Sequence, residues 1–216
     1  MAIVEPATKI DGIVGHLGDE AETFLGTHNC KTCHTGVYNE WRQTDHSRAF
    51  TALRARNMQN EPECLSCHTT GYRHYNGYDE EANTSLTQVQ CEACHGPGGN
   101  HAGRVKRGDP RPPIINFGSD ADTPIPQQNA MCLQCHEGHV GEQWAGSAHD
   151  VNSVACADCH NSHPVKDPML DKRTQSEACY ACHANVEAHF MKPSAHPVRQ
   201  GQVGCTDCHK PHGSDT

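Results

Sequence analysis

The chain has 216 residues, of which 35% are hydrophobic and only 5% aromatic. A globular domain of this length normally buries about 70% of its unfolded surface behind an aliphatic core, and this composition does not supply such a core. The formal net charge of −9 argues against nucleic acid as a partner, and no apolar run reaches the roughly eighteen residues of a transmembrane segment.

All 14 cysteines lie in seven copies of Cys-x-x-Cys-His, the attachment motif of c-type haem. A zinc site would need four ligands, and a disulfide framework would not require a histidine after each pair of cysteines. We therefore expect seven covalently bound haem c groups. Their attachment residues are Cys30, Cys33, Cys64, Cys67, Cys91, Cys94, Cys132, Cys135, Cys156, Cys159, Cys179, Cys182, Cys205 and Cys208. The expected proximal iron ligands are His34, His68, His95, His136, His160, His183 and His209.

The spacing of the motifs divides the chain into four segments. Residues 1–25 are an N-terminal arm, and residues 26–101 are a module with three haem motifs. Residues 102–130 are a connector rich in proline and glycine, where regular helix is disfavoured. Residues 131–216 are a module with four haem motifs.

Helical patterns in this sequence are short. Residues 37–58 have a helix-compatible composition, and residues 127–135 and 174–190 favour shorter helices next to haem motifs. Strand signals are nearly absent. The expected fold is therefore mostly irregular with short α-helices and very little β-structure, organised around a stacked array of haems that takes the place of an aliphatic core.

The four-haem module contains an internal duplication. In each unit a Ser-Ala-His sequence follows the first motif, 13 positions separate its histidine from that motif's histidine, and the unit ends in Cys-His-x-x-His. A weaker copy opens the three-haem module. Histidines kept at repeated positions are expected to be the second, distal iron ligands. These are His149, His163, His196, His212 and His46, and His101 is a sixth candidate. His16 and His28 are the alternatives for a seventh distal ligand.

Two known families resemble parts of this chain. From about residue 26 to 101, Trp41-x-x-Thr-x-His46, Ala49-Phe50 and Cys91-Glu-Ala-Cys-His-Gly-Pro-Gly98 resemble the tetrahaem cytochromes of the nitrifying hydroxylamine pathway. From about residue 130 to 213, the duplicated unit ending in Cys-Thr-Asp-Cys-His-Lys-Pro-His-Gly resembles the periplasmic pentahaem and decahaem electron-conduit cytochromes.

The resemblance implies closely packed haems in alternating parallel and perpendicular pairs. It also implies distal ligation by His46, by His101 and by the histidines of the Ser-x-His and Cys-His-x-x-His sequences. The second haem of the tetrahaem family lacks a distal ligand, so the haem attached beside His68 is the candidate for an open iron.

These features predict an electron-transfer protein rather than an enzyme, with haems mostly ligated by two histidines, acting in anaerobic or extracellular respiration. Covalent haem attachment predicts a periplasmic or extracellular location after export. Expected partners are redox proteins, metal ions or minerals. A soluble shuttle and a filament whose subunits exchange a haem ligand remain alternatives. A further alternative is an oxidoreductase acting on a small nitrogen or sulfur compound, with Tyr72, Arg73 and His74 near the haem of His68.

Overall fold

The computed structural model of the protein describes residues 23–110, 112–164 and 166–213. Within these ranges the α-helices are short, and the longest, α6 and α7, have nine residues each. The helices are α1 Thr27–Cys30, α2 Thr35–Trp41, α3 Ala49–Arg54, α4 Pro62–His68, α5 Cys91–His95, α6 Gly99–Arg107, α7 Ile125–Leu133, α8 Glu142–Trp144, α9 Ala148–Val151, α10 Cys156–Cys159, α11 Gln175–Tyr180 and α12 Ala184–Phe190.

Single helical turns and isolated bridges complete the regular structure of the described ranges. The 3₁₀ turns are His46–Arg48, Thr84–Leu86, Pro168–Leu170 and Cys205–Asp207, and a kinked π-turn covers Glu137–Gly141. Two isolated β-bridges join Thr69 to Thr87 and Asp79 to Asn83. The predicted fold class, short helices and irregular segments with very little β-structure, is confirmed.

The helix pattern expected over residues 37–58 is divided into three pieces. Helix α2 ends at Trp41, a 3₁₀ turn follows, and α3 begins at Ala49. The buried hydroxyl of Thr44 donates a hydrogen bond to the carbonyl of Trp41 at 2.8 Å, which satisfies one of the last carbonyls of α2. The chain therefore turns within a stretch whose composition is compatible with helix throughout.

The two shorter helix expectations agree better with the structure. Helix α7 lies at Ile125–Leu133, against an expected 127–135. The 174–190 stretch contains α11 and α12, separated by the end of the sixth haem motif. No helix in the described part of the chain is long and apolar enough to cross a membrane.

The one cluster of buried apolar side chains found in the described residues lies behind the second haem motif. It consists of Phe50, Leu53, Leu65, Tyr78 and Leu86, each at most 6% exposed. Burying side chains of this size contributes about 1.5–3 kcal/mol each, so the cluster fixes α3 against α4. Outside it, few apolar side chains are buried, as expected of a chain whose apolar interior is completed by bound groups.

Two glycines allow the loop after the second motif to close on itself. Gly71 has a φ of 70°, in the left-handed region that favours glycine. A Cβ on Gly77 would overlap the carbonyl of Gly71, and a Cβ on Gly71 would meet the ring of Phe24. This close approach holds Tyr78 in the apolar cluster.

Candidate functional site

Haem motifs lie side by side in three pairs. The first cysteines of the paired motifs interact, Cys30 with Cys91, Cys132 with Cys156, and Cys179 with Cys205. Contact with the neighbouring thiol is the largest cause of the raised pKa of Cys91 and of Cys156. Burial, followed by the charge of Cys205, raises the pKa of Cys179 to about 11. The structure thus pairs motif one with three, four with five, and six with seven.

The second motif lies beside the fourth. Burial and then the neighbouring Cys67 raise the pKa of Cys135 to about 12, and the Cys67 sulfur lies 3.9 Å from the carbonyl oxygen of Gln134. The side chain of Gln134 also donates a hydrogen bond to the carbonyl of Ala93 in the third motif, at 3.2 Å. The fourth motif therefore contacts both the second and the third.

A buried glutamate fixes the first motif pair. Glu92, inside the third motif, is 4% exposed and accepts hydrogen bonds from three backbone N–H groups. The donors are Leu25, Gly26 and Gly98, at distances between 2.7 and 3.0 Å. A buried carboxylate is tolerated when it is hydrogen-bonded in this way. The segment that leads into the first motif is thereby held on the third.

Buried amide side chains hold the two motifs together in each of the other two motif pairs. Asn129, in α7, accepts a hydrogen bond from the backbone N–H of Cys156 and donates one to the carbonyl of Val154. Gln175, in α11, accepts from the backbone N–H of Thr206 in the seventh motif. Both amides are almost fully buried, so the paired motifs have a fixed relative position.

Histidine rings from distant parts of the chain lie in five facing pairs. In each pair one ring belongs to a haem motif and the other is a spare histidine, and the ring centres are 5.8–6.4 Å apart. The pairs are His34 with His101, His136 with His46, His95 with His163, His183 with His149, and His160 with His212. Five of the six distal histidines expected from the sequence are among them, four from repeat positions and His101.

This separation fits a metal ion between the rings. A coordinating imidazole nitrogen lies about 2 Å from its metal and about 1 Å from its own ring centre, so two rings on opposite sides of one metal have centres about 6 Å apart. Aromatic rings in direct contact also have centres about 4.5–7 Å apart, so the distance allows an iron between the rings without requiring one. What sets the five pairs apart is that each joins a motif histidine to a spare histidine, the combination that an iron ligated by two histidines needs.

Hydrogen bonds orient several of these rings through Nδ1. The Nδ1 atoms of His68 and His95 lie 2.7 Å from the carbonyl oxygens of Ala49 and Ile115. A proton held on Nδ1 leaves Nε2 unprotonated and able to bind a metal. Ile115 lies in the predicted connector, which therefore helps to orient the ring of the third motif.

Two further rings have Nδ1 partners from later in the chain. The Nδ1 of His160 is hydrogen-bonded to the carboxylate of Asp167, and that of His149 lies 2.8 Å from the carbonyl oxygen of Pro211. The sequence alone did not identify these orienting groups, because backbone carbonyls carry no residue signature. Asp167 could have been suspected from its position seven residues after His160.

Burial favours the neutral, metal-binding form of several histidines. The pKa of His46 is lowered by burial and by His136, against the opposing charge of Asp45. Burial also lowers the pKa of His95 and of His212, and facing histidines add to both effects. The Nδ1 atom of His101 is buried without a hydrogen-bond partner among the described residues. A buried ring nitrogen without a partner in the described residues is consistent with a bound group beside this ring.

A groove lies beside the rings of His160 and His212. It has a volume of about 270 Å³ and its lining includes His160, His212, Met169, Leu170 and Gln175. Leu170 is 76% exposed, a large fraction for an apolar side chain. An apolar plate held between His160 and His212 would cover it.

Other expected ligands have no facing ring in the described part of the chain. These are the motif histidines His68 and His209 and the spare histidines His28 and His196; of these, His28, His196 and His209 are exposed. His16 lies outside the described residues. His74, near the second motif, packs its ring on Phe24 instead, at 6.1 Å between ring centres.

Three family descriptions match successive parts of the chain. Residues 29–96 match "Cytochrome c554 and c-prime", residues 91–173 match "Cytochrome c-type protein NrfB-like", and residues 148–216 match "Cytochrome c3". The second match runs across the connector at residues 102–130. Together the three matches include all seven motifs.

Two relatives agree with this division. The multiheme cytochrome MtrA of Shewanella baltica (strain OS185) is 40% identical over 159 residues, which cover 71% of this chain and 46% of that protein. Cytochrome c-554 of Nitrosomonas europaea is 27% identical over 150 residues, covering 57% of this chain and 62% of the relative. The chain thus spans less than two thirds of the length of either relative.

Proposed function

Because the chain is a multihaem c-type cytochrome, we propose that it carries seven haem c groups, one at each motif, and transfers electrons along them. Each bound haem would supply a reversible one-electron change at its iron. The facing histidine pairs carry this proposal, because their spacing leaves room for one iron between two rings. The 14 cysteines of the seven motifs would form the thioether links.

The geometry of the rings supports a ligand set for these haems. The motif histidines are the proximal ligands, and His46, His101, His149, His163 and His212 are the distal ligands of the irons that their partners face. His196 is a distal ligand by its repeat position. A bis-histidine iron has no free position for substrate, and two imidazoles give a lower potential than a histidine with a methionine. Both properties suit electron transfer in anaerobic or extracellular respiration.

The motif contacts define an order for the electron path. Motif one lies beside three, three beside four, four beside five, and six beside seven. The thiol of Cys159 is also affected by the charge of Cys182, after burial and Asp158, which supports motif five lying next to motif six. We propose the path one, three, four, five, six, seven, with the haem of motif two as a branch at motif four.

The chain's location and partners are part of the same proposal. C-type haem attachment and the families matched support a periplasmic or extracellular protein that exchanges electrons with redox proteins, metal ions or mineral surfaces. The four-segment division proposed from the sequence stays a working description: an arm at 1–25, modules at 26–101 and 131–216, and a connector at 102–130. The chain can also self-associate into a filament in which His16 or His28 ligates a haem of a neighbouring subunit. The electron path would then continue from one subunit to the next.

One observation favours a second function. The ring of His68 has no facing histidine in the described residues, although its Nδ1 is held by Ala49. An iron bound there would keep an open position. Tyr72 and Arg73 lie four and five residues after His68 in the sequence, and the Arg73 guanidinium lies 5.2 Å from the Tyr72 ring. This arrangement would suit an oxidoreductase acting on a small nitrogen or sulfur compound.

Mass spectrometry and redox titration of the exported holoprotein test the proposal. We expect the mass of the polypeptide plus seven haems, uptake of seven electrons, and no turnover of nitrite, hydroxylamine or sulfite. A mass with fewer haems would overturn the cofactor assignment. Sustained turnover that carbon monoxide inhibits would instead support the enzyme at the haem of His68.

A further inference from the structure

One hydrogen bond joins the expected ligands of two neighbouring irons. The Nδ1–H of His149 donates to the carbonyl oxygen of Pro211 at 2.8 Å. The ring of His149 faces His183 of motif six. The residue directly after Pro211 is His212, whose ring faces His160 of motif five. Irons held between these two pairs of rings would therefore be linked by a series of covalent bonds interrupted by a single hydrogen bond.

A tight turn presents the accepting carbonyl. The backbone N–H of Gly213 donates to the carbonyl of Lys210 at 3.0 Å, so Pro211 and His212 are the central residues of a β-turn. Proline is favoured at the first central position because its ring fixes φ. The hydrogen bond that closes the turn does not use the carbonyl of Pro211, which is thereby available to His149.

Side-chain packing holds the donor against the same turn. Trp144 is 6% exposed and packs its ring edge-on against His212, at 6.1 Å between ring centres. Ser147, which is fully buried, caps the helix that carries His149, because its hydroxyl accepts from the backbone N–H of Asp150. The segment that bears His149 thus contacts the turn at two points, which fixes the donor relative to the acceptor.

The first repeat has no equivalent turn. Its Cys-His-x-x-His end has Ser162 at the position of Pro211. The residue that would close a turn there is Pro164, which has no N–H to donate. Within the described ranges no histidine ring donates to the carbonyl of Ser162. The repeat pattern alone therefore does not produce this contact, which belongs to the boundary between motifs five and six.

The other Nδ1 contacts of the described rings end elsewhere. Two of them end on Ile115 and Asp167, and neither residue has a histidine beside it in the sequence. A third ends on Ala49, three residues after His46. Within this set, the contact of His149 is the one that ends directly beside an expected iron ligand of another motif.

We propose that the hydrogen bond from His149 to Pro211 is the main bridge for electrons between the haems of motifs five and six. One electron passes between the iron that His149 ligates and the iron that His212 ligates, so that one is oxidised as the other is reduced. The proton stays on Nδ1, and no bond forms or breaks. Electronic coupling is stronger through covalent and hydrogen bonds than across a gap. The inference rests on the proposed bis-histidine ligation and on the proposed electron path.

Proton exchange in the fully reduced holoprotein tests the hydrogen bond itself. Low-spin ferrous haem is diamagnetic, so NMR can detect the Nδ1–H signals of histidines that ligate it. The ring of His163 has no hydrogen-bond partner in the described residues and serves as the reference. We expect the signal of His149 to persist in D₂O after that of His163 is lost. Equal loss of both signals would overturn the bridge.

Light-induced electron transfer tests the function of the bridge. Val186→Cys, at an exposed position after motif six, carries a ruthenium photosensitiser, and the motif cysteines do not compete because haem occupies them. His46→Met marks the haem of His136, because a methionine ligand raises its potential and changes its absorbance. An electron injected at motif six then reaches the marked haem of motif four through motif five, and its arrival is followed by absorbance.

Two variants of this labelled protein alter the bridge. His149→Nδ-methylhistidine keeps Nε2 for the iron but has no Nδ1–H, and Pro211→Gly loosens the turn while both ligands remain. We expect arrival to slow at least about tenfold in the first variant and to slow in the second, with the number of haems that bind carbon monoxide unchanged. The same substitutions at His189 and Pro193, which are both exposed, are the matched controls and should leave the rate unchanged.

The outcomes separate the bridge from the rest of the proposed function. Unchanged arrival in both variants would overturn the bridge, and so would a slowing that the measured shift in reduction potentials fully accounts for. If the methylhistidine variant gains a haem that binds carbon monoxide, the rate of Pro211→Gly decides, and an unchanged rate there overturns the bridge. No arrival at the marked haem in the labelled parent protein would instead refute the proposed order of motifs.

Discussion

Replacing Glu92 by glutamine should separate the first and third motifs at a measurable cost in stability. The two carboxylate oxygens accept three backbone N–H groups, from Leu25, Gly26 and Gly98, at 2.7–3.0 Å. A glutamine keeps one oxygen and turns an NH₂ group toward the N–H of either Gly26 or Gly98. At least one charge-assisted hydrogen bond is lost and one buried donor is left without a partner, a cost of about 3 kcal/mol.

Thermal unfolding followed by circular dichroism measures that cost. A destabilisation of this size lowers the melting temperature of a chain of this length by about 6–12 °C. Glu63→Gln is the matched control, because Glu63 occupies the same place in the first turn of α4 and is exposed. The haem of His34 should also become more reactive toward carbon monoxide in Glu92→Gln, since its motif is held on the third by this carboxylate. Equal melting temperatures of the two variants would refute the reasoning.

The remaining predictions concern single rings and their partners. His46→Ala should make the haem of His136 reactive toward carbon monoxide, whereas His189→Ala, at an exposed spare histidine, should change nothing. The pKa of His46 is lowered, so the stability that its neutral ring contributes is complete above the ordinary value of 6.5 and is lost as pH falls through the lowered value. In an acid titration, the low-spin absorbance should therefore decline only below pH 6.5. A decline above pH 6.5 would contradict this reasoning. Asp167→Asn removes a negative charge beside His160. Voltammetry should therefore show one reduction potential raised by about 50 mV, roughly a tenfold change in the oxidation equilibrium of that haem. An unchanged set of potentials would count against the hydrogen bond between Asp167 and His160.

Attachment chemistry could be predicted from this sequence because it is local. Two cysteines and a histidine at fixed spacing carry the signature wherever the fold puts them. That the helices are short could be predicted from the glycines, prolines and motifs that interrupt the chain. Their positions could be predicted less well, because the two longest, α6 and α7, overlap the connector at 102–130, where the proline and glycine content disfavours helix. The helix-compatible composition of residues 37–58 did not show where the helix would be interrupted, because the hydrogen bond from the Thr44 hydroxyl at the end of α2 is a side-chain contact that periodicity does not report.

Ligand partnership could be predicted only in part. Repeat positions predicted His46 and His149 as distal ligands but gave no indication of which motif each would face. His46 faces His136, far along the chain, because α7 brings the fourth motif beside the three-haem module. Such partners depend on packing between motifs, and the packing depends on buried groups such as Asn129 that look ordinary in sequence.

Near-infrared magnetic circular dichroism of the oxidised monomeric holoprotein tests the central claim most directly, because it counts irons by their axial ligands. Five facing histidine pairs predict at least five low-spin irons with two histidines each, and at most two irons, at His68 and His209, with an open position. Fewer than five bis-histidine irons would contradict the account, since the rings would then face one another without ligating a common metal.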